Sequence, residues 1–337
     1  MTYDQQLRDT AKAMVAPGKG LLAADESNAT AEKRLTAVGL ESTEDVRRAY
    51  RQLLLTTPGV EQYLSGVILF DETIRQKDDQ GTPFAEVLKR EGIIPGIKVD
   101  KGAKDLALHE GEKVTEGLDG LRERFAEYAE MGAGFAKWRA VITIQDDKLP
   151  SEACIHANAH AMARYAALAQ EAGIVPIVEP EVLLDGDHTI ERCYDVTAAT
   201  LDALFAELKN QGVLLEGTIL KASMVLSGKD APDSADIQTV AEETVRCLKE
   251  HVPAELAGVV FLSGGQTEVE ATAHLDAMNK IGGLPWPLTF SYSRAIQNPV
   301  LKLWAEKKND EAVAAYLKRC EANSLAAKGQ WSEDFEK

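Results

Sequence analysis

Gly217-Thr218-Ile219-Leu220-Lys221-Ala222-Ser223-Met224 contains a short apolar run that stops in a lysine. The run is too short for a helix and lacks the alternation of a half-solvated strand, so it reads as a strand buried on both faces. Seven other runs share that character: Gly20-Leu21-Leu22-Ala23-Ala24, Gly66-Val67-Ile68-Leu69-Phe70, Ile93-Ile94-Pro95-Gly96-Ile97, Gly134-Phe135-Ala136, Ile174-Val175-Pro176-Ile177-Val178, Gly258-Val259-Val260-Phe261-Leu262 and Pro287-Leu288-Thr289-Phe290. Stretches of helical period lie between them, at 118–131, 152–172, 189–211, 234–251 and 268–280. Several open on a cap signal, such as Thr267 ahead of Glu270. Eight buried strands alternating with helices predict a (β/α)8 TIM barrel, an α/β fold. An open doubly wound sheet normally carries a glycine fingerprint after its first strand, and none follows Ala24. The chain is expected to be one barrel domain over 1–337. A short helical extension precedes it, and a polar, mobile tail follows from about residue 322.

The chain is 45% hydrophobic, enough for a large core, and its formal net charge is -17. Such an acidic balance argues against nucleic acid or an anionic membrane as a partner. It does not argue against small anions, which need only a local basic pocket. No apolar run approaches the roughly 18 residues that span a bilayer. Met1-Thr2-Tyr3-Asp4 does not open a signal peptide. Cys154, Cys193, Cys247 and Cys320 are scattered without metal-type spacing, which fits reduced thiols in a cytoplasmic protein.

The residues that end each run carry the chemistry. The first run ends in Asp25, the third in Lys98-Val99-Asp100, the fourth in Lys137-Trp138-Arg139, the fifth in Glu179-Pro180-Glu181 and the sixth in Lys221. Residues two apart on a strand face the same way, so each charged pair shares a face. Active sites of barrels lie at the C-terminal ends of the strands. One such pair at a solvated rim is ordinary. Charges at the ends of successive units are not, because ionised groups are rarely buried without purpose. A lysine ammonium held partly out of water is disfavoured relative to the neutral amine, which is a nucleophile for carbonyl carbon.

Ser263-Gly264-Gly265 ends the seventh run just before a helix start, and Ser291-Tyr292-Ser293-Arg294 ends the eighth. Exposed backbone N–H groups at a helix start, joined by an arginine, suit a phosphate. Loops after the last two strands form the usual phosphate site of this fold. Lys33-Arg34 is a second basic pair, which by itself also reads as helix-surface charge. Glu152, His156 and His160 have metal-like spacing but lie on a helix away from any strand end, so no metal is expected there.

Together these residues resemble class I fructose-bisphosphate aldolase over nearly the whole chain. The matching stretches are Leu22-Ala23-Ala24-Asp25-Glu26-Ser27, Gly96-Ile97-Lys98-Val99-Asp100-Lys101-Gly102, Phe135-Ala136-Lys137-Trp138-Arg139, Ile177-Val178-Glu179-Pro180-Glu181, Leu262-Ser263-Gly264-Gly265-Gln266 and Thr289-Phe290-Ser291-Tyr292. Asn28-Ala29-Thr30 is closer in motif to the plant and algal branch. The resemblance implies Lys221 as the Schiff-base lysine and Glu179 as the proton carrier beside it. It implies support for carbon–carbon cleavage from Asp25 and Lys137, with Glu181 counted among the catalytic group. Ser263, Gly264, Gly265, Ser291 and Arg294 would hold the phosphate nearer the carbonyl. Ser27, Thr30, Arg34 and Lys98 would hold the far one, and Arg47 and Arg139 match substrate-binding positions. Two departures stand out. Ser293 replaces a common glycine, and no tyrosine follows Tyr316 where animal relatives end in a functional one.

The implied reaction is reversible cleavage of fructose 1,6-bisphosphate to dihydroxyacetone phosphate and glyceraldehyde 3-phosphate. It needs no metal and no cofactor beyond the covalent intermediate on Lys221. Asp25 and Glu179 both remain candidates for taking the C4 hydroxyl proton. The partners expected are sugar phosphates, and the resemblance implies a cytoplasmic homotetramer. A transaldolase-like lyase, a zinc-dependent aldolase and a non-catalytic scaffold are the alternatives. The first needs one phosphate anchor, the second a histidine cluster at strand ends, and the third no intact charged mouth.

Overall fold

The computed structural model describes residues 3–337. In chain order the strands are β1 (Gly20–Ala24), β2 (Leu64–Leu69), β3 (Ile94–Lys98), β4 (Ala103–Asp105), β5 (Lys113–Thr115), β6 (Phe135–Ile142), β7 (Val175–Val182), β8 (Ile219–Ala222), β9 (Gly258–Phe261) and β10 (Leu288–Tyr292). Eight of them close in the order β1-β10-β9-β8-β7-β6-β3-β2. Their pairings are all parallel. Helices between successive barrel strands complete a (β/α)8 TIM barrel. The antiparallel hairpin β4–β5 leaves no mark in the sequence, because its three-residue strands are too short to show a period.

The strand period of two sorts the core. Leu21, Ala23, Ile68, Phe135, Val175, Ile177, Ile219 and Val260 fill the barrel interior. The alternate residues Leu22, Ala24, Ile97, Ala136, Trp138, Val178, Leu220 and Phe261 join the larger outer core. Leu7, Ala11 and Met14 of the helix Asp4–Met14 pack with the interior set and floor the barrel. Gly96 has no room for a side chain, since a Cβ there would lie 2.2 Å from the Phe135 ring. Continuing the interior column upward along each strand leads to Asp25, Lys98, Lys137, Glu179 and Lys221.

The chain beyond 322 differs from the mobile tail expected. The helix Asn309–Ala326 runs through it, burying Ala322, Asn323, Ser324 and Ala326. Trp331 is buried against the outer core, and its backbone N–H donates to Asp276 Oδ1 at 2.9 Å. Arg319 donates to Glu336 Oε1 at 2.7 Å and to the carbonyl of Glu268 at 2.9 Å. Polar composition hid these few anchoring groups. Among the described residues no helix is long and apolar enough to cross a membrane.

Candidate active site

The mouth is built on adjacent strands. Lys137 on β6 and Lys221 on β8 flank Glu179 on β7, and all three side chains are buried. Lys221 Nζ lies 3.0 Å from Glu179 Oε1. Lys137 Nζ lies 2.8 Å from Asp25 Oδ2 and 3.1 Å from Glu179 Oε2. That last contact is an ion pair without hydrogen-bond alignment, so Glu179 Oε2 is buried with no hydrogen-bond partner. That oxygen, free of hydrogen bonds, has a lone pair open to a proton.

The electrostatics arise from this alternation of sign. Burial alone would raise the Asp25 pKa, but Lys137 and Lys221 outweigh it and hold the group at about 2. Burial acts on Glu179 in the same sense, and Lys137, Lys221 and Arg139 overcome it, leaving its pKa lowered. For Lys137 burial works against the ammonium, while Asp25 and Glu179 raise its pKa well above the usual value. Arg139 pairs with Glu181, which raises its pKa against the cost of burial.

On one side of this centre, a cleft of about 630 Å³ is lined by Ser27, Thr30, Lys98 and Arg139. Arg75, Lys101 and Arg124 line it too, and the strand-end reading missed all three. Lys98 Nζ lies 2.6 Å from Asp100 Oδ1, and Ser27 Oγ caps the helix Asn28–Ala37 at the N–H of Thr30. On the other side, Gly264 and Gly265 take φ of 25° and 91°, a conformation that favours glycine. The turn leads into the helix Glu268–Ile281, which starts in a capping box between Thr267 and Glu270. His274 holds Gln266 of that turn, its Nδ1 lying 2.7 Å from Gln266 Oε1. Ser291 Oγ is buried with no partner, and exposed Arg294 begins the helix Arg294–Ala305.

Two of the expected phosphate- and substrate-binding residues lie outside the cleft. Arg34 does not line the cleft with Lys98; it turns to the β10 side, pairing with Glu26 and reaching Ser293 Oγ at 3.3 Å. Arg47 is held by Glu72 at 2.8 and 2.7 Å and by the Ser42 carbonyl at 2.7 Å, also outside the cleft. Both arginines sit on helices, where the direction of a long side chain depends on acids remote in sequence. His156 and His160 stay on the helix Glu152–Glu171, His160 pairing with Glu207 at 2.9 Å. Among the described residues no group of three metal-ligating side chains is placed to hold an ion.

An inward strand-end lysine against a buried carboxylate, with anion-binding features on either side, defines a barrel enzyme for a phosphorylated carbonyl compound. Residues 6–337 match the family model described as fructose-bisphosphate aldolase class I. A probable fructose-bisphosphate aldolase class 1 of Xanthomonas campestris is 61% identical, the match covering 97% of this chain and 98% of that protein. The cytosolic fructose-bisphosphate aldolase 4 of Arabidopsis thaliana is 51% identical, covering 94% and 81%. A solved fructose-bisphosphate aldolase of Plasmodium falciparum, in complex with TRAP and a small-molecule inhibitor, has a TM-score of 0.96 at 47% identity. That match covers 98% of this chain and 96% of the other. The chain belongs to the class I fructose-bisphosphate aldolase family. It is an enzyme of glycolysis that reversibly cleaves fructose 1,6-bisphosphate to dihydroxyacetone phosphate and glyceraldehyde 3-phosphate. The transaldolase-like and scaffold alternatives fall with that result.

Proposed function

We propose that Lys221 carries the reaction as a Schiff base and that Glu179 moves its protons. The observation that supports this is the 3.0 Å approach of Lys221 Nζ to the buried Glu179 carboxylate. Glu179 takes a proton from the ammonium, and the free amine adds to C2 of the open-chain sugar. The protonated Glu179 then returns that proton to the carbinolamine hydroxyl, and water leaves. The protonated imine accepts the electron pair of the C3–C4 bond as it breaks. A carboxylate takes the C4 hydroxyl proton in the same step. Glu179, 3.0 Å from Lys221 Nζ and with one carboxylate oxygen free of hydrogen bonds, is assigned that role. Lys137, between the two carboxylates at 2.8 and 3.1 Å, offsets their mutual repulsion. The enamine is then protonated at C3, and hydrolysis restores Lys221.

The phosphate nearer C2 sits with Ser263, Gly264, Gly265, Ser291 and Arg294, supported by the unpartnered Ser291 hydroxyl. The far phosphate sits in the cleft with Ser27, Thr30, Lys98 and Arg139. Arg34 moves from the far set to the β10 side, Arg47 is structural, and Glu181 orients Arg139. A cytoplasmic homotetramer remains part of this reading, resting on kinship alone; its mass in solution would be near four times 36.6 kDa. Borohydride added with substrate tests the chemistry. A stable adduct on Lys221 with loss of activity is expected, and a metal chelator should leave activity unchanged. Chelator inactivation without a lysine adduct would overturn the assignment.

A further inference from the structure

Glu26 takes no part in the proton transfers assigned to Glu179, yet it is among the most heavily bonded carboxylates in the molecule. Its side chain is 9% exposed. It accepts from Arg51 Nη2 at 2.7 Å, Ser293 Oγ at 2.8 Å and Gln297 Nε2 at 3.0 Å, and from Arg34. Burial would raise its pKa, but Arg51 and Arg34 together lower it, so the group stays ionised. The donors come from separate segments. Arg34 lies on the helix Asn28–Ala37, Arg51 on the helix Glu44–Thr56, and Ser293 and Gln297 at the start of the helix Arg294–Ala305. Gln297 Nε2 also donates to the Ala23 carbonyl of β1 at 2.7 Å.

Ser293 shows what the arrangement does. A serine at an N-cap normally turns its hydroxyl onto the first N–H groups of its own helix. Ser293 occupies the N-cap of the helix Arg294–Ala305 and makes no such bond. Its hydroxyl goes to Glu26 instead, which leaves the helix start uncapped by a side chain and available to an anion. Glu26 directly precedes Ser27, and Ser293 lies between Ser291 and Arg294. The Ser293–Glu26 hydrogen bond, with Gln297 and Arg34 bridging beside it, therefore joins the turn that carries the far-phosphate residues to the turn that carries the near-phosphate residues.

We propose that Glu26 and Ser293 are positioning residues that couple the two phosphate grips: their hydrogen bond sets the spacing between the β1 turn and the β10 turn and keeps the β10 helix start open. This rests on the proposed two-ended placement of the phosphates. A substrate held at both ends feels that spacing, and one held only at the near end feels it less.

The test compares fructose 1,6-bisphosphate with fructose 1-phosphate, which lacks the far phosphate. In Ser293→Ala the preference for the bisphosphate, as a ratio of kcat/KM values, should fall about tenfold, the size expected for one lost hydrogen bond to a charged group. The change should appear in KM for the bisphosphate more than in kcat. Ser293→Thr, which keeps the hydroxyl, should restore the preference. Adding Ser293→Ala to Glu26→Gln should cost little beyond Glu26→Gln alone. A preference unchanged within twofold in Ser293→Ala, or equal losses on both substrates that threonine does not restore, overturns the coupling. Failure of the two-ended placement itself would show separately, as equal losses on both ligands in Arg294→Ala and Lys98→Met, so the two failures are distinguishable.

Discussion

Lys221 Nζ and Glu179 Oε1 stand 3.0 Å apart with both side chains at most 5% exposed. The ammonium proton therefore has an acceptor within direct reach, and that acceptor can return it when water must leave. Glu179→Gln keeps the size and removes the proton transfer. Its kcat should fall by about 10²- to 10⁴-fold, the usual worth of general acid–base catalysis, with a smaller change in KM. A kcat within threefold of wild type would move the proton work to another group.

The two anion sites should separate by ligand. Arg294→Ala removes a cation from the near site, so binding of dihydroxyacetone phosphate and of the bisphosphate should weaken alike, by about 1.5–3 kcal/mol. Lys98→Met removes one from the cleft and should impair only the bisphosphate. Calorimetric titration of each variant with each ligand checks this. Equal losses on both ligands for both variants would show that the ends are wrongly assigned.

Stability should fall in two separate acid windows. His274 is buried, which lowers its pKa from 6.5 to about 4. The unfolded chain then binds a proton that the folded one refuses, and stability drops as pH falls from 6.5 to 4, by about 3 kcal/mol. Asp25 is shifted from 3.8 to about 2 by its lysines against the effect of burial. Its contribution, about 2 kcal/mol, is present above pH 3.8 and is lost as pH falls to about 2. Glu26 and Glu179 are lowered as well and act in the same direction. Urea midpoints against pH should show the upper slope flattened in His274→Gln. An unchanged slope there would refute the role of His274.

Arg319 and Glu336 make a testable pair outside the mouth. The guanidinium is 7% exposed, and Glu336 is its acidic partner at 2.7 Å. Glu336→Gln should cost about 1–3 kcal/mol of stability, read from the denaturant midpoint. The hydrogen bonds of residues 331–336 run to one another and to the helices Glu268–Ile281 and Asn309–Ala326. Deleting 331–337 should therefore change proton exchange at C3 of dihydroxyacetone phosphate less than about threefold, even as stability falls. A hundredfold loss of exchange in a folded truncation would place this segment in the reaction.

The charged mouth was readable because a strand has a rigid two-residue period. Once Ile177 and Ile219 are placed inside the barrel, Glu179 and Lys221 must point the same way. Strand ends also pointed to Ser263–Gly265 and Arg294, since barrels use those loops. The helix-borne arginines were not readable. Arg34 and Arg47 reach their partners over several rotatable bonds, and the acids that capture them, Glu26 and Glu72, become neighbours only when β1, β2 and their helices pack. The cleft cations Arg75, Lys101 and Arg124 lie off the strand ends, so no period marks them.

The amino-acid sequence by itself determined the barrel, the inward column of charges and the lysine at its centre, because those depend on local periodicity and on which residues must escape water. Only the tertiary structure decided which charge answers which. It set Glu179 between Lys137 and Lys221, turned Ser293 from its own helix to Glu26, and docked Glu336 on Arg319. Those pairings join segments far apart in the chain, and their geometry is fixed when the barrel closes.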